Sequence, residues 1–391
     1  MNKIILKNQP ISNRFLNKQT SNPKCYDMEF EYNNKLGCIS LQTPFPVSEL
    51  QPRFDWITCF EPEDHLDELV EKISKLQNIN KKSIIGAFSF KDDTTLNRLN
   101  NIGFKNTWRI DPELDLKISE KIFSIETLQD HFNKNVYKNI LLNHQKCDIF
   151  IARHVIEHSY DIIKFLNNSS DLINDNGYLI LELPDCERAM IAGDCTILWE
   201  EHINYFTESS FKKFINRFNF EIIFWENFKY PLENSITVIL KKASPELSIL
   251  KKTKKDQEQK KLFEVFKERM FYTKSTIRSV LENFKKKIGP IALLGAGHLS
   301  SAFLSINEID DIIEYVIDDN KNKDNMYMPN GRLKILNSDN LDSSKIKMCL
   351  LGANPQNHEK IIEKHKKFQT GGGVFKSIFP GTLNFIGQKY D

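Results

Sequence analysis

Two histidine-bearing segments carry the residues best suited to chemistry in this chain. The first, CDIFIARHVIEHSYD, sets His154, Glu157 and His158 directly after an apolar run that ends at Arg153. The second, LWEEHINYFTESSF, sets Glu201 beside His202, with Tyr205 close behind. Imidazoles next to carboxylates are the side chains that move protons most readily near neutral pH. The pattern has plainer readings too. A lone histidine at a strand end often only hydrogen-bonds within a packed loop, and Glu157 would also suit the start of a helix. His154-Val-Ile-Glu157-His158 is in addition H-x-x-E-H, the zinc-ligand order of one metallopeptidase class. That motif needs both histidines one turn apart on a helix plus a third ligand. Here an apolar strand runs straight into it, which puts His154 in a turn and argues against a peptidase.

A second chemical signature lies towards the C-terminus. LLGAGHLSSAF gives Gly295-x-Gly297-x-x-Ser300, followed by Asp318 at the end of the next apolar run. This is dinucleotide-fingerprint spacing, with glycines for a tight turn and an acid for a ribose, but the third glycine is missing.

The elements that must position these residues alternate. Between Ser83 and about Lys242 the strand candidates are SIIGAF, TWRID, CDIFIAR, GYLILELP and FEIIFWE, rich in Ile, Phe and Trp. Amphipathic stretches TTLNRLNNI, IIKFLNNSSDLI and SSFKKFINRF separate several of them. Such alternation implies a parallel sheet covered on both faces, with ligands beyond the carboxyl ends of its strands. The Gly- and Pro-free segment that follows keeps helical spacing at Leu262, Val265, Phe266, Met270, Ile277 and Leu281, and its mixed charges suit a solvated linking helix. A second α/β pattern begins after Gly289-Pro290 with IALLGAG, IIEYVIDD, KMCLLGAN and GGVFKSIFP. Within it Asn354 ends a strand on the same edge as the glycine loop.

At 391 residues the chain exceeds one ordinary core. Its 54 basic and 52 acidic residues leave a charge of +2, which excludes the cationic excess of a nucleic-acid binder. No apolar run reaches the ~18 residues of a membrane span, and the N-terminal run is too short for an export signal. The seven scattered cysteines then read as reduced thiols in a cytoplasmic protein.

RHVIEH, LELPD and EHINYFT, in this order, resemble the corresponding motifs of S-adenosylmethionine-dependent sugar C-methyltransferases. NQPISNRFL is similar to that family's QP-(small)-NRF motif, and YVIDDNKNKDNMYMPNGRLKI resembles its VDDNP-K-Q-G-Y-PG-H-I-P run. The resemblance covers nearly the whole chain. It implies two Rossmann-like, doubly wound α/β domains with a small irregular N-terminal domain. The expected parts are a lid at 1–75, a cofactor domain at 76–245, a linking helix at 246–288 and a substrate-enclosing domain at 289–391.

The implied reaction moves the methyl group of S-adenosylmethionine to a carbon α to a ketone on a nucleotide-linked sugar. Carried over residue by residue, His202 is the base, Glu201 its neighbour, and His158 a group for the ketone or enolate oxygen. Trp199 stands where the family has a tyrosine, so Tyr205 or a residue of the first segment would have to take over the role of that hydroxyl. The cofactor would meet Gly86 and Phe88 in IIGAFSFKDD, Asp111 in TWRIDP for the ribose, and Arg153 and His154. The loop departs from the usual G-x-G-x-G, with Phe88 and Phe90 where small residues are expected. That departure keeps open a catalytically degenerate nucleotide-sugar-binding paralogue, while Gly295 and Gly297 keep open an NAD-dependent oxidoreductase. The family's N-terminal zinc cysteines are absent: Cys25, Cys38 and Cys59 form no C-x2-C pair, so no metal is expected. Trp56, Glu61 and His65 would lie over the mouth of the site.

Overall fold

The computed structural model describes residues 3–57, 61–133, 137–243, 257–342 and 345–387. Cys59 lies outside the described residues. The chain divides into two compact units. A central one comprises Tyr32–Asp185 and Glu201–Asp256, and a terminal one gathers Met1–Glu31 and Cys186–Glu200 with Gln257–Asp391.

Strands β1 (Lys3–Pro10) and β2 (Cys25–Asn33) pair antiparallel, with Lys3 opposite Glu31 and Pro10 opposite Cys25. Side chains alternate between the faces of both, so Ile4, Leu6, Met28 and Phe30 are buried while Ile5, Asp27 and Glu29 lie on the other, more exposed face. In the central unit, β3 (Cys38–Leu41) precedes the main sheet strands β4 (Ile85–Ala87), β5 (Thr107–Arg109), β6 (Cys147–Arg153) and β7 (Ile173–Asp185). The short β8 (Asn204–Tyr205) pairs antiparallel with β3. Strands β9 (Phe220–Phe228) and β10 (Asn234–Lys242) complete the six-stranded order β5-β4-β6-β7-β10-β9.

Strands β4 to β7 run parallel, but β10 lies antiparallel between β7 and β9. The sheet is therefore mixed, where the alternating pattern implies a parallel one. SITVILKK forms most of β10. It is buried on both faces, so it lacks the period-two signature that marks a half-exposed strand.

Alternation along β6 feeds two cores. Ile149 and Ile151 pack with Leu66, Leu69, Leu96 and Leu99 on one face. Phe150 and Ala152 pack with Phe88, Phe165 and Phe211 on the other. From β4 the chain goes out to β5 and returns past β4 to β6, which creates a switch point between β4 and β6. Crevices beyond the carboxyl ends of strands at such points bind ligands in open α/β sheets.

The terminal unit holds a second sheet. Strands β11 (Ile291–Leu294), β12 (Tyr315–Asp318), β13 (Ile335–Asn337), β14 (Met348–Leu351) and β15 (Val374–Ser377) are all parallel, in the order β13-β12-β11-β14-β15. The helix Gln257–Lys287 belongs to this unit and buries Phe263, Phe266, Met270, Ile277 and Leu281. Residues 246–256 of the expected linking segment lie outside the described residues. Gly193, at φ +71, lets the chain pass this helix closely, because a Cβ there would lie 2.6 Å from the Cβ of Arg269. No described helix is long and apolar enough to cross a membrane.

Candidate active site

At the end of β6 the backbone turns sharply at His154, whose φ of +49 is unusual for a residue with a side chain. A short 3-10 turn, Ile156–His158, follows and is buried. The segment carrying Glu201 and His202 is tied to this turn by one backbone and one side-chain hydrogen bond: Ile203 N donates to Glu157 O at 2.7 Å, and Asn204 Nδ2 to Ser159 O at 2.8 Å. The His158 and His202 rings meet edge to face with centroids 4.8 Å apart. The two histidine segments thus converge. Tyr205 is buried in β8, its ring 6.1 Å from that of His202, while Glu201 and His202 remain half-buried.

A third carboxylate joins them from a segment that the sequence does not single out. Ser124 caps the helix Ile125–His131, and Gln129 fixes the helix by donating to Val155 O at 2.7 Å. Glu126, in the first turn, reaches Nδ1 of His158 with Oε1 at 2.7 Å. Burial works against charge on Glu126, but the His158 partner outweighs it and holds its pKa below the ordinary carboxylate value. Only its type and first-turn position are visible in FSIETLQDHF, and those suit a capping acid equally well.

Arg153 and His154 enter a different, fully buried network. Arg153 Nε lies 2.8 Å from Glu182 Oε2 and its Nη2 3.2 Å from Oε1, with neither side chain exposed. Glu182 also meets His154 Nε2 at 2.9 Å, His65 Nε2 at 3.1 Å and Ser235 Oγ at 3.0 Å. Burial disfavours its charge, yet Arg153 and the two histidines hold it well below the usual carboxylate range. Burial likewise opposes charge on His154, but Glu61, Glu157 and Glu182 surround it and carry its pKa up to about 10. Glu61 pairs with Lys91 at 2.6 Å, and His65 lies between Glu182 and the Tyr230 hydroxyl, 2.7 Å away. Glu61 and His65 are therefore parts of this interior network. Trp56 stacks on Phe54 at 4.9 Å.

The switch point is bridged by Asp92. Its carboxylate accepts from Ser89 N at 2.8 Å and from Arg153 N at 2.9 Å, linking the loop after β4 to the end of β6. Burial pushes its pKa up to about 7. At Gly86 a Cβ would lie 2.5 Å from the Trp108 ring, so the absent side chain makes room for that ring. Phe88 is wholly buried, edge-on to Phe132 and Phe165 at 5.3 and 5.2 Å. Asp111 sits just past β5 and holds its own turn, Oδ1 accepting from Glu113 N and Leu114 N, while Oδ2 takes no hydrogen bond among the described residues.

In the terminal unit, Trp199 stacks on His298 with ring centroids 4.1 Å apart. Glu200 accepts from both the backbone and the hydroxyl of Ser12. Asp318 is engaged through both oxygens: Oδ2 takes Ala296 N at 2.7 Å and Lys323 at 3.2 Å, and Oδ1 takes Asn320 N at 2.8 Å. A nucleotide ribose would have to displace these bonds. The six described cysteines are all free thiols, and Asn354 caps the short turn Pro355–Asn357.

Two family profiles match the chain. One, described as a methyltransferase domain, covers residues 7–223, and the other, a C-methyltransferase C-terminal domain, covers residues 237–380. No curated protein sequence matches. Solved structures give distant likenesses. An O-methyltransferase family protein from Burkholderia thailandensis aligns at 9% identity and a TM-score of 0.28, over 46% of this chain and 58% of that one. The chain thus spans less than two thirds of that protein. YcgJ from Bacillus subtilis aligns at 9% identity and a TM-score of 0.30, over 47% of this chain and 100% of its own. Haemonchus contortus phosphoethanolamine N-methyltransferase 2, solved with phosphomonomethylethanolamine and S-adenosylhomocysteine, aligns at 11% and 0.24, over 80% and 74%. The first profile spans more than half of the sequence, and by it this chain belongs to the methyltransferase-domain family.

Proposed function

We propose that this protein is an S-adenosylmethionine-dependent C-methyltransferase acting at a carbon α to a ketone of a nucleotide-linked sugar, with His202 as general base. The observation that carries the reading is the convergence of His158 and His202, 4.8 Å between ring centroids, beside Glu126, Glu157 and Glu201. The C-terminal match to a C-methyltransferase domain supports carbon as the methyl acceptor.

The cofactor is held at the switch point, where the spare Oδ2 of Asp111 fits a ribose hydroxyl and the backbone of the loop after β4 borders the crevice. Gly86 and Phe88 contribute there through main chain, since Trp108 covers one and the core takes the ring of the other. Arg153 and His154 act from beneath, by fixing the strand end that carries the 3-10 turn. When bound, S-adenosylmethionine supplies an electrophilic methyl group whose bonding electrons stay with sulfur.

The protein's own residues do the rest. His202 takes the α proton, and the C–H electron pair moves into the enolate. Charge gathers on the former ketone oxygen, where a fixed donor is most effective. His158 faces that position, oriented by Glu126. Glu201, the chain neighbour of His202, lies beside Glu126 and His158 in the same cluster.

A second reading has one observation of its own. Asp92 already occupies both backbone donors at the switch point, as it would in a paralogue that binds a nucleotide sugar without transferring a methyl group. Incubation with methyl-labelled S-adenosylmethionine and a keto nucleotide-sugar in deuterated water separates the two. The enzyme incorporates label and exchanges the α proton, and His202→Ala abolishes both while S-adenosylmethionine still binds. Label incorporation at the wild-type rate by that variant removes His202 from the base role.

A further inference from the structure

We propose that Glu126, His158 and Glu201 form a binding site for one divalent metal ion. Each offers a ligand atom, and the three atoms lie within 4.8 Å of one another. One imidazole and two carboxylates form a mixed N/O donor set that suits Mn²⁺, Fe²⁺ or Zn²⁺.

An independent observation points to a cation. Glu126 is 1% exposed, and only its Oε1 is used, on His158; the buried Oε2 makes no hydrogen bond among the described residues. A buried carboxylate oxygen left bare is costly, and a positive ion satisfies it. Glu157, next to the same histidine in the chain, repeats the pattern, with Oε2 buried and bare among the described residues. Glu157, His158 and His202 also come within 4.8 Å of one another, so a second triad shares His158. The first triad is the better seat because its two carboxylates balance a dication, where the second offers one.

The role of the ion rests on the methyltransferase reading. Seated on Glu126, His158 and Glu201, it does not draw on His202, which takes the proton. It also stands where His158 would otherwise meet the oxygen of the forming enolate. A Lewis acid there stabilises the developing charge without transferring a proton.

The test uses the full chain stripped with chelator and titrated with Mn²⁺ and with Zn²⁺ by calorimetry, alongside metal analysis of the untreated protein. One equivalent of either ion should bind. Glu126→Gln and the half-buried Glu201→Gln should each weaken it by at least about tenfold, and His202→Ala should leave it within a factor of about three. Circular dichroism checks the fold of each variant, and Glu201→Gln preserves the test should Glu126→Gln not fold. No binding, binding indifferent to both glutamine variants, or binding lost in His202→Ala overturns the assignment. The same stripped protein is titrated with S-adenosylmethionine, so failure of the metal site and failure of the methyltransferase reading appear in separate measurements.

Discussion

Glu126 Oε1 lies 2.7 Å from Nδ1 of His158, both side chains buried, across 32 residues of sequence. Nδ1 is therefore the ring nitrogen that meets the carboxylate. A residue that nothing in the sequence marks thereby fixes the ring orientation of one that the sequence does mark. The site is built from three separate stretches: the Gln129 side chain ties Ile125–His131 to Val155, just before the turn Ile156–His158, and Ile203 N ties the residues around His202 to that turn.

The Arg153–Glu182 pair is wholly buried, so removing one partner strands a charge in the interior. Arg153→Met should lower unfolding stability by about 3–5 kcal/mol. Urea denaturation monitored by circular dichroism reads this. A loss below about 1 kcal/mol would show that Glu182 finds enough compensation in His154, His65 and Ser235.

Gly86 has ordinary backbone angles, so its constraint is space alone. Gly86→Ala should cost about 1–3 kcal/mol, because the new methyl group meets the Trp108 ring. Combining it with Trp108→Leu should be clearly less than additive in a double-mutant cycle. Strict additivity would place the origin of the cost elsewhere.

His154 keeps its proton up to about 10 in the folded state, against about 6.5 when unfolded. Between those values the folded state binds more protons than the unfolded one. The contribution to stability is therefore whole below about pH 6.5 and is lost as the pH rises through about 10. Urea midpoints of the wild type and His154→Gln should converge across that window. A gap that stays constant from neutral pH to pH 10 contradicts a protonated His154.

Much of the scaffold was legible because strand residues announce themselves. SIIGAF, TWRID, CDIFIAR, GYLILELP and FEIIFWE all contain strands of the central sheet. Strand β10 was not, since burial on both faces removes the alternation that marks a strand. The meeting of His158 and His202 could be expected from their segments, but Glu126 could not, because a glutamate in the first turn of a helix is ordinary. Glu182 did leave a trace. A glutamate inside the apolar run GYLILELP must be paired when buried, and Arg153 at the end of the preceding strand is the cation within reach. What no local pattern supplies is the use of Asp92 as a bridge across the switch point, which depends on two strand ends brought together by the sheet order.

Calorimetric titration of the purified chain shows whether the crevice at the switch point between β4 and β6 takes S-adenosylmethionine. NAD serves as a parallel control, and Asp111→Asn as the variant that keeps the turn bonds of Oδ1 but removes the charge. Micromolar binding of S-adenosylmethionine is expected, weakened about 10- to 100-fold in Asp111→Asn, with no response to NAD. Absence of S-adenosylmethionine binding, or binding of NAD in its place, would contradict it.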